Sequence, residues 1–264
     1  MPKPAIPKPA ITNKLSQSDV TLFYDIFFNL LDFINKRDRI IPSLLPTIHS
    51  FTGTNSLEPA EIKQIASVVW TNPVKEIDAY LATAYLATAD SPKDSGEKDS
   101  DENDKNDNDE KNSDKREILQ SWKHCVNGQF FIERHLKSGS VLIGRPETAD
   151  TADNGNNGNN RNKDNRSVIS AAKKEDDHND HDNYGNHDSV FLVCGLNSSI
   201  EEMFPSDYFP LPIIVKATLL PFKGRIITDG LVQRYNIFSG GGVKKMLRET
   251  YSEAKRNGRI ITNL

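Results

Sequence analysis

Cysteine is scarce in this chain of 264 residues: Cys125 and Cys194 are the two present, far apart and outside any CxxC pair. That excludes a disulfide framework and a zinc ribbon as organising devices, and it makes a reduced, cytoplasmic setting the expectation. Long apolar runs are missing as well. The most hydrophobic stretch, Val20 to Ile34, is broken by Asp25, Asn29 and Asp32, so it falls short of the roughly 18 uncharged residues of a membrane span and reads as a core helix. No membrane partner is expected. The opening MPKPAIPKPAITNK has neither an apolar h-region nor a small-residue cleavage site, and no export signal is read from it.

A dominant charge is also lacking, since the formal net charge is only −4, but that balance conceals a strong asymmetry. Asp90 to Arg116 holds eleven acids and six bases, and Glu147 to Ser189 holds ten acids and five bases. Each segment carries −5, so the remainder of the chain sums to +6. From Leu211 to Leu264 ten Lys or Arg face only Asp229, Glu249 and Glu253, a local excess of +7. The two polar segments cannot bury enough apolar surface to offset the entropy of ordering, so both are expected to be unordered inserts.

Five regions follow from this patterning: a Pro/Lys arm over 1–15; a helical domain over 16–89 and 114–124; an acidic insert over 90–113; a β domain over 125–146 and 189–264, closed by a basic helix; and an Asn/Asp/His-rich insert over 147–188. Ser16 or Ser18 can cap a helix that places Val20, Phe23, Ile26, Phe27, Leu30, Leu31 and Ile34 on one face. Further helices are read from Pro59 to Trp70, from Pro73 behind an Asn72 cap, and from Lys115 to Lys123.

Beyond Gly128 the period becomes extended. Strands are read over Gln129 to Leu136, Ser140 to Ile143, Val190 to Leu196, Leu211 to Leu220, Gly224 to Thr228 and Leu231 to Phe238, with Pro221-Phe222-Lys223 and Asp229-Gly230 as turns. The fold class is therefore α+β: a helical N-terminal domain, then a small antiparallel meander or barrel with a C-terminal helix. The second insert reads as a lengthened loop between neighbouring strands, tolerable because closure entropy grows only logarithmically with length.

The most distinctive local chemistry is SGGGVKK, Ser239 to Lys245. Gly240, Gly241 and Gly242 let backbone amides approach a ligand, the helix start adds unpaired N–H groups and partial positive charge, and Lys244, Lys245 and Arg248 add full charges. The combination suits a phosphate, although the GxxxxGK[ST] spacing of a P-loop is absent. Lys223 and Arg225, on the loop that also leads to Asp229, are assigned to the same anion-binding set as part of a composite pocket. Lys255, Arg256, Arg234 and Arg259 widen the basic surface.

Other clusters carry less. His178, His181 and His187 sit among carboxylates in a low-complexity run that offers no shell to hold ligands, and no metal site is assigned. His124-Cys125, with His135 nearby in sequence, lacks an orienting third group, and Glu133 and Asp229 lack the spacing of an acid–base pair. No catalytic residue and no cofactor is assigned.

The segments WKHCVNGQFFIERHL, LPIIVKATLLPFKGRIITDGLV and YNIFSGGGVKKMLRETYSEAKRNG resemble a family of uncharacterised archaeal and bacterial proteins with a helical front half and a PFKGxIIxDG segment. The resemblance implies the two-part architecture over most of the chain outside the inserts. It attaches no activity and carries over no catalytic residue.

The leading expectation is a non-enzymatic binding or regulatory protein whose basic C-terminal face contacts nucleic acid or another polyanion. One alternative is an enzyme acting on a phosphate-bearing substrate, with a pocket shared by Lys223, Asp229 and the glycine loop. The other is a protein–protein adaptor that exposes an apolar patch near Trp70, Tyr80 or Tyr85.

Overall fold

The computed structural model describes residues 13–42, 59–89, 103–146, 188–237 and 239–264. Expectations placed on residues 1–12, 90–102 and 147–187, the proline-rich arm and the three insert histidines among them, lie outside the described residues. Helix α1 (Gln17–Asp38) is capped by Ser16, whose Oγ accepts the Asp19 N–H at 3.2 Å, and it ends at Arg39 in the left-handed conformation. Helices α2 (Pro59–Thr71) and α3 (Pro73–Ala89) are separated by Asn72, whose side chain accepts the Lys75 N–H at 3.3 Å.

Helix α4 (Asn103–Ser121) runs into a 3-10 turn at Trp122–His124. It starts before the expected Lys115. Its last turns are anchored by buried Ile118, Leu119 and Trp122, and propagation from an anchored turn avoids the cost of nucleation.

Among the described residues seven strands follow: β1 (Val126–Leu136), β2 (Gly139–Pro146), β3 (Ser189–Cys194), β4 (Ile213–Phe222), β5 (Arg225–Thr228), β6 (Gln233–Arg234) and β7 (Ile260–Ile261). Between them lie the short helix α5 (Ile200–Met203), held by a Ser199/Glu202 capping box, and α6 (Gly241–Arg256). The strand order β1-β2-β3-β5-β4 closes through a β1–β4 pairing, so five strands form a barrel with β6 added to β4 and β7 to β3. All pairs are antiparallel except β3–β5 and β3–β7. This is the wiring of an OB-type Greek-key barrel, not of a meander. As expected, β2 and β3 are antiparallel neighbours across the long second insert.

Alternation along the strands builds three cores. Phe130, Ile132, Leu142, Phe191, Val193, Val215, Ala217, Leu219 and Ile226 fill the barrel, with Ile200, Met203 and Phe204 stopping one end. Val141, Ile143 and Val190 point outward beneath Leu247, Tyr251 and Ala254 of α6. Cys194, Leu220, Phe222 and Ile227 point outward into the helical layer, where Phe23, Phe27, Trp70 and Trp122 meet them. The helical and β regions therefore share a core and are not separate domains.

One turn assignment changes. Pro221 and Phe222 belong to β4, opposite Ile226 and Arg225, and the hairpin turn is Lys223-Gly224, both at positive φ (48° and 73°). Two-residue turns of this kind are the commonest hairpin connection because their backbone twist matches that of the strands. Phe222 faces the helices, its ring 6.0 Å from Phe23 edge to face, not the barrel interior. The strand expected over Leu231 to Phe238 is limited to Gln233–Arg234.

Truncating Phe222 empties the junction of helices and barrel. Phe222→Ala is expected to cost about 3–5 kcal/mol, read as a shift of the urea midpoint. A loss below about 1 kcal/mol would show that the helical layer does not depend on this contact.

Candidate anion-binding site

Helix α6 carries most of the assigned residues. Leu247, Tyr251 and Ala254 form its buried stripe, and Arg134 of β1 locks it down with its guanidinium carbon 4.1 Å from the centre of the Tyr251 ring. Arg134 is aimed there by a bulge at Glu133, the buried carboxylate with which it pairs. With that stripe inward, Lys244, Arg248 and Lys255 fall within about 40° of one another around the helix, roughly 70° round from the centre of the stripe, along one flank of the contact. Lys245, Arg248, Lys255 and Arg256 are exposed. Among the described residues Lys244, Arg248, Lys255 and Arg256 have no carboxylate partner, whereas Lys245 lies 3.9 Å from Glu249 and Arg259 lies 2.5 Å from Glu253.

Gly240 is the N-cap and supplies no side-chain cap, and the first intrahelical bond runs from Lys244 N–H to Gly240 C=O at 3.2 Å. None of Gly240, Gly241 and Gly242 has a positive φ, and a Cβ on any of them would meet nothing within 4 Å. Neither backbone conformation nor packing inside the chain calls for these glycines. Ser239 and Lys244, on either side of them in sequence, line a small cleft of about 50 Å³ together with Phe209, Pro212, Arg234 and Tyr235.

The structure does not bring Lys223 and Arg225 to this place. Ile213, at the start of β4, lines the cleft, while Lys223 follows the other end of the same strand, about 30 Å of extended chain away. Lys223 is ion-paired with Asp19 of α1 at 2.6 Å, and this contact lowers the Asp19 carboxyl. Arg225 lies beside Asp19 and Cys194. The composite pocket of Lys223, Asp229 and the glycine loop is thereby overturned, because the β4–β5 turn is used to hold α1 against the barrel.

The other chemical candidates are occupied structurally. Asp229 is buried, with Oδ2 accepting from Trp70 Nε1 at 2.9 Å and Oδ1 accepting from the Leu231 N–H at 3.0 Å, and burial raises its pKa from 3.8 to about 6. Asn127 continues the link, donating to Trp70 C=O and accepting from Thr218 Oγ1, each at 2.7 Å. The Cys125 thiol is pushed up to about 12 by burial and by the neighbouring Asp229 charge, the reverse of an activated nucleophile. His135 has Nε2 at 3.2 Å from Phe204 C=O and Nδ1 at 2.7 Å from Ser140 Oγ, and burial lowers its pKa. Trp70, expected at an exposed patch, is buried by that same Asp229 contact, and Tyr80 packs edge to face on Phe33. The side chain of Tyr85 lies outside the described residues.

Sequence reasoning did not foresee the cleft. Arg234 was counted only as added charge, although its guanidinium carbon sits 4.6 Å from the centre of the Phe209 ring. The two residues are joined only by the β4–β6 pairing, which no local pattern announces. Among the described residues no helix is long and apolar enough to cross a membrane. No family model, curated protein or solved structure matches the chain.

Two outcomes test this geometry. Because the folded pKa of Asp229 is raised, the native state holds the extra proton between pH 3.8 and about 6; the stability so contributed is full below that window and lost as pH rises through it. Wild-type stability relative to Asp229→Asn should therefore fall by about 3 kcal/mol across the window, measured as paired urea titrations. Separately, Gly242→Ala meets no obstacle and is expected to stabilise the protein by roughly 0.4–1 kcal/mol, visible as a raised midpoint of thermal unfolding.

Proposed function

We propose that this is a non-enzymatic binding protein whose C-terminal helix contacts nucleic acid through its basic flank. The observation that carries the reading is the Lys244, Arg248 and Lys255 stripe: three cations along one flank of α6, free of carboxylate partners among the described residues, beside the face that is buried on the barrel. A row of that kind gains affinity by releasing counterions from a phosphate backbone and places no demand on base sequence. Arg256 extends the charge toward the end of the helix.

The barrel supports this reading by analogy of fold, which ranks below the site itself. OB-type barrels commonly take oligonucleotides across the outer face of strands 2 and 3, between the β1–β2 and β4–β5 loops. Here the outward side chains of β2 and β3, Val141, Ile143 and Val190, are covered by α6. The helix covers that apolar face and presents cations along one flank, so contact would fall there. The absence of an activated nucleophile at Cys125 and the structural use of Asp229 and His135 favour binding over turnover.

Binding of single-stranded oligothymidylate, followed by fluorescence anisotropy, should weaken steeply with salt. The triple variant Lys244→Ala, Arg248→Ala, Lys255→Ala should flatten the log–log slope by about 2. An unchanged slope, or no binding to DNA or RNA at low salt, would overturn the reading.

A further inference from the structure

We infer that the acidic run 175–187, which leads into β3, is an intramolecular ligand of the basic flank of α6 and competes there with nucleic acid, a form of regulation that rests on the polyanion reading above.

The charges of the two parties are complementary. Glu175, Asp176, Asp177, Asp180 and Asp182 fall within thirteen residues that hold no Lys or Arg, so the run carries a formal −5 with its histidines neutral. The bases of the segment 147–187, Arg161, Lys163, Arg166, Lys173 and Lys174, all lie before it. On the other side, α6 presents Lys244, Arg248, Lys255 and Arg256, none with a carboxylate partner among the described residues. The acids of the helix itself do not neutralise them, because Glu249 and Glu253 are paired with Lys245 and Arg259.

The topology sets the run beside that flank. The described chain resumes at Asp188, two positions before Val190. Val190 packs beneath Leu247, Tyr251 and Ala254 of α6, and it is in register with Ile260 of β7, four positions beyond Arg256 at the end of that helix. The run therefore enters the sheet near the C-terminal end of α6, where Lys255 and Arg256 sit. Strand β2 pairs Gly144 with Ser189 and ends at Pro146, so both attachments of the segment 147–187 are fixed at one end of the sheet.

The reach of the run is sufficient. Thirteen residues span at most about 45 Å, while α6 is about 24 Å long, so carboxylates of the run reach Lys255 and Lys244 alike. A tether of this length holds them at an effective concentration on the order of millimolar. Exposed ion pairs are individually weak and screened by salt, so a phosphate backbone, with its denser charge, displaces the run. The other acidic segment, 90–102, is a poorer occupant: it joins α3 to α4 in the helical layer and interleaves its acids with Lys93 and Lys98.

Two measurements test the assignment. Zero-length carbodiimide cross-linking of the unaltered full chain, read by peptide mass spectrometry, is expected to join Lys244 or Lys255 to carboxylates within 175–182 at low salt and to lose those products at high salt. Anisotropy with oligothymidylate is then compared for wild type and two variants near 0.1 M salt, where the Debye length of about 10 Å screens distant charges. The first variant, Glu175→Gln, Asp176→Asn, Asp177→Asn, Asp180→Asn, Asp182→Asn, is expected to bind about five- to tenfold more tightly than wild type, with the gain fading as salt rises. The second, Asp94→Asn, Glu97→Gln, Asp99→Asn, Asp101→Asn, Glu102→Gln, makes the same change in net charge and is expected to shift affinity by less than about twofold.

Equal affinity of wild type and the first variant, or an equal gain from both variants, overturns the inference and leaves the basic flank as the nucleic-acid contact. Cross-links confined to species of twice the chain mass overturn the intramolecular placement. If neither wild type nor variants bind oligothymidylate, the nucleic-acid reading fails, and the cross-links alone uphold or overturn occupancy of the flank. Because cross-linking uses the unaltered chain, a folding defect in either variant leaves that test intact.

Discussion

The structure depends on one wall of aromatic side chains between the helices and the outside of the barrel. Phe23 of α1 contacts Trp122 at 5.3 Å and Phe222 at 6.0 Å between ring centres, while Phe27 stacks on Trp70 at 6.2 Å. Rings of this size contribute most of the apolar area a junction can bury, and their edge-to-face contacts fix its geometry. A single carboxylate enters the wall, Asp229, and it is accommodated because Trp70 Nε1 and the Leu231 N–H take up its oxygens. A buried charge without those donors would be far more costly than any one apolar contact could offset.

That wall decides where the rest of the surface is available. With α1 to α4 covering the β3–β5 side and α6 covering the β1–β3 side, the barrel has no broad open face among the described residues. Lys223, which would otherwise present a charge on the β4–β5 loop, is consumed in holding Asp19 of α1. Lys244, Arg248, Lys255 and Arg256 of α6 escape the same fate because the acids of that helix, Glu249 and Glu253, are occupied by Lys245 and Arg259. What remains is a positive ridge beside a small cleft, both built on a helix held to the barrel by Tyr251 and Arg134.

Much of this was legible from local pattern. The Ser16 cap, the Asn72-Pro73 break, the strand-and-turn rhythm after Gly128, the long loop between β2 and β3, and the apolar stripe of α6 each depend on residues a few positions apart. The errors have the same physical character. Phe222 in a run of apolar strand residues gives no sign of which side of the sheet it faces when both sides are covered. Asp229 beside Gly230 reads as turn punctuation, and it does form a turn, but its larger role is the contact with Trp70, 159 positions away.

By itself the sequence determined the α+β class, the order of most elements and the concentration of positive charge near the C-terminus, because hydrophobic period, capping residues and net charge are local properties. Only the tertiary structure decided that the barrel closes through β1 and β4, that Lys223 is spent on Asp19, and that Arg234 and Ser239 meet Lys244 at one cleft. Those outcomes turn on strand pairing and on which of two covered faces a side chain enters, and such choices are settled by packing between segments distant in the chain.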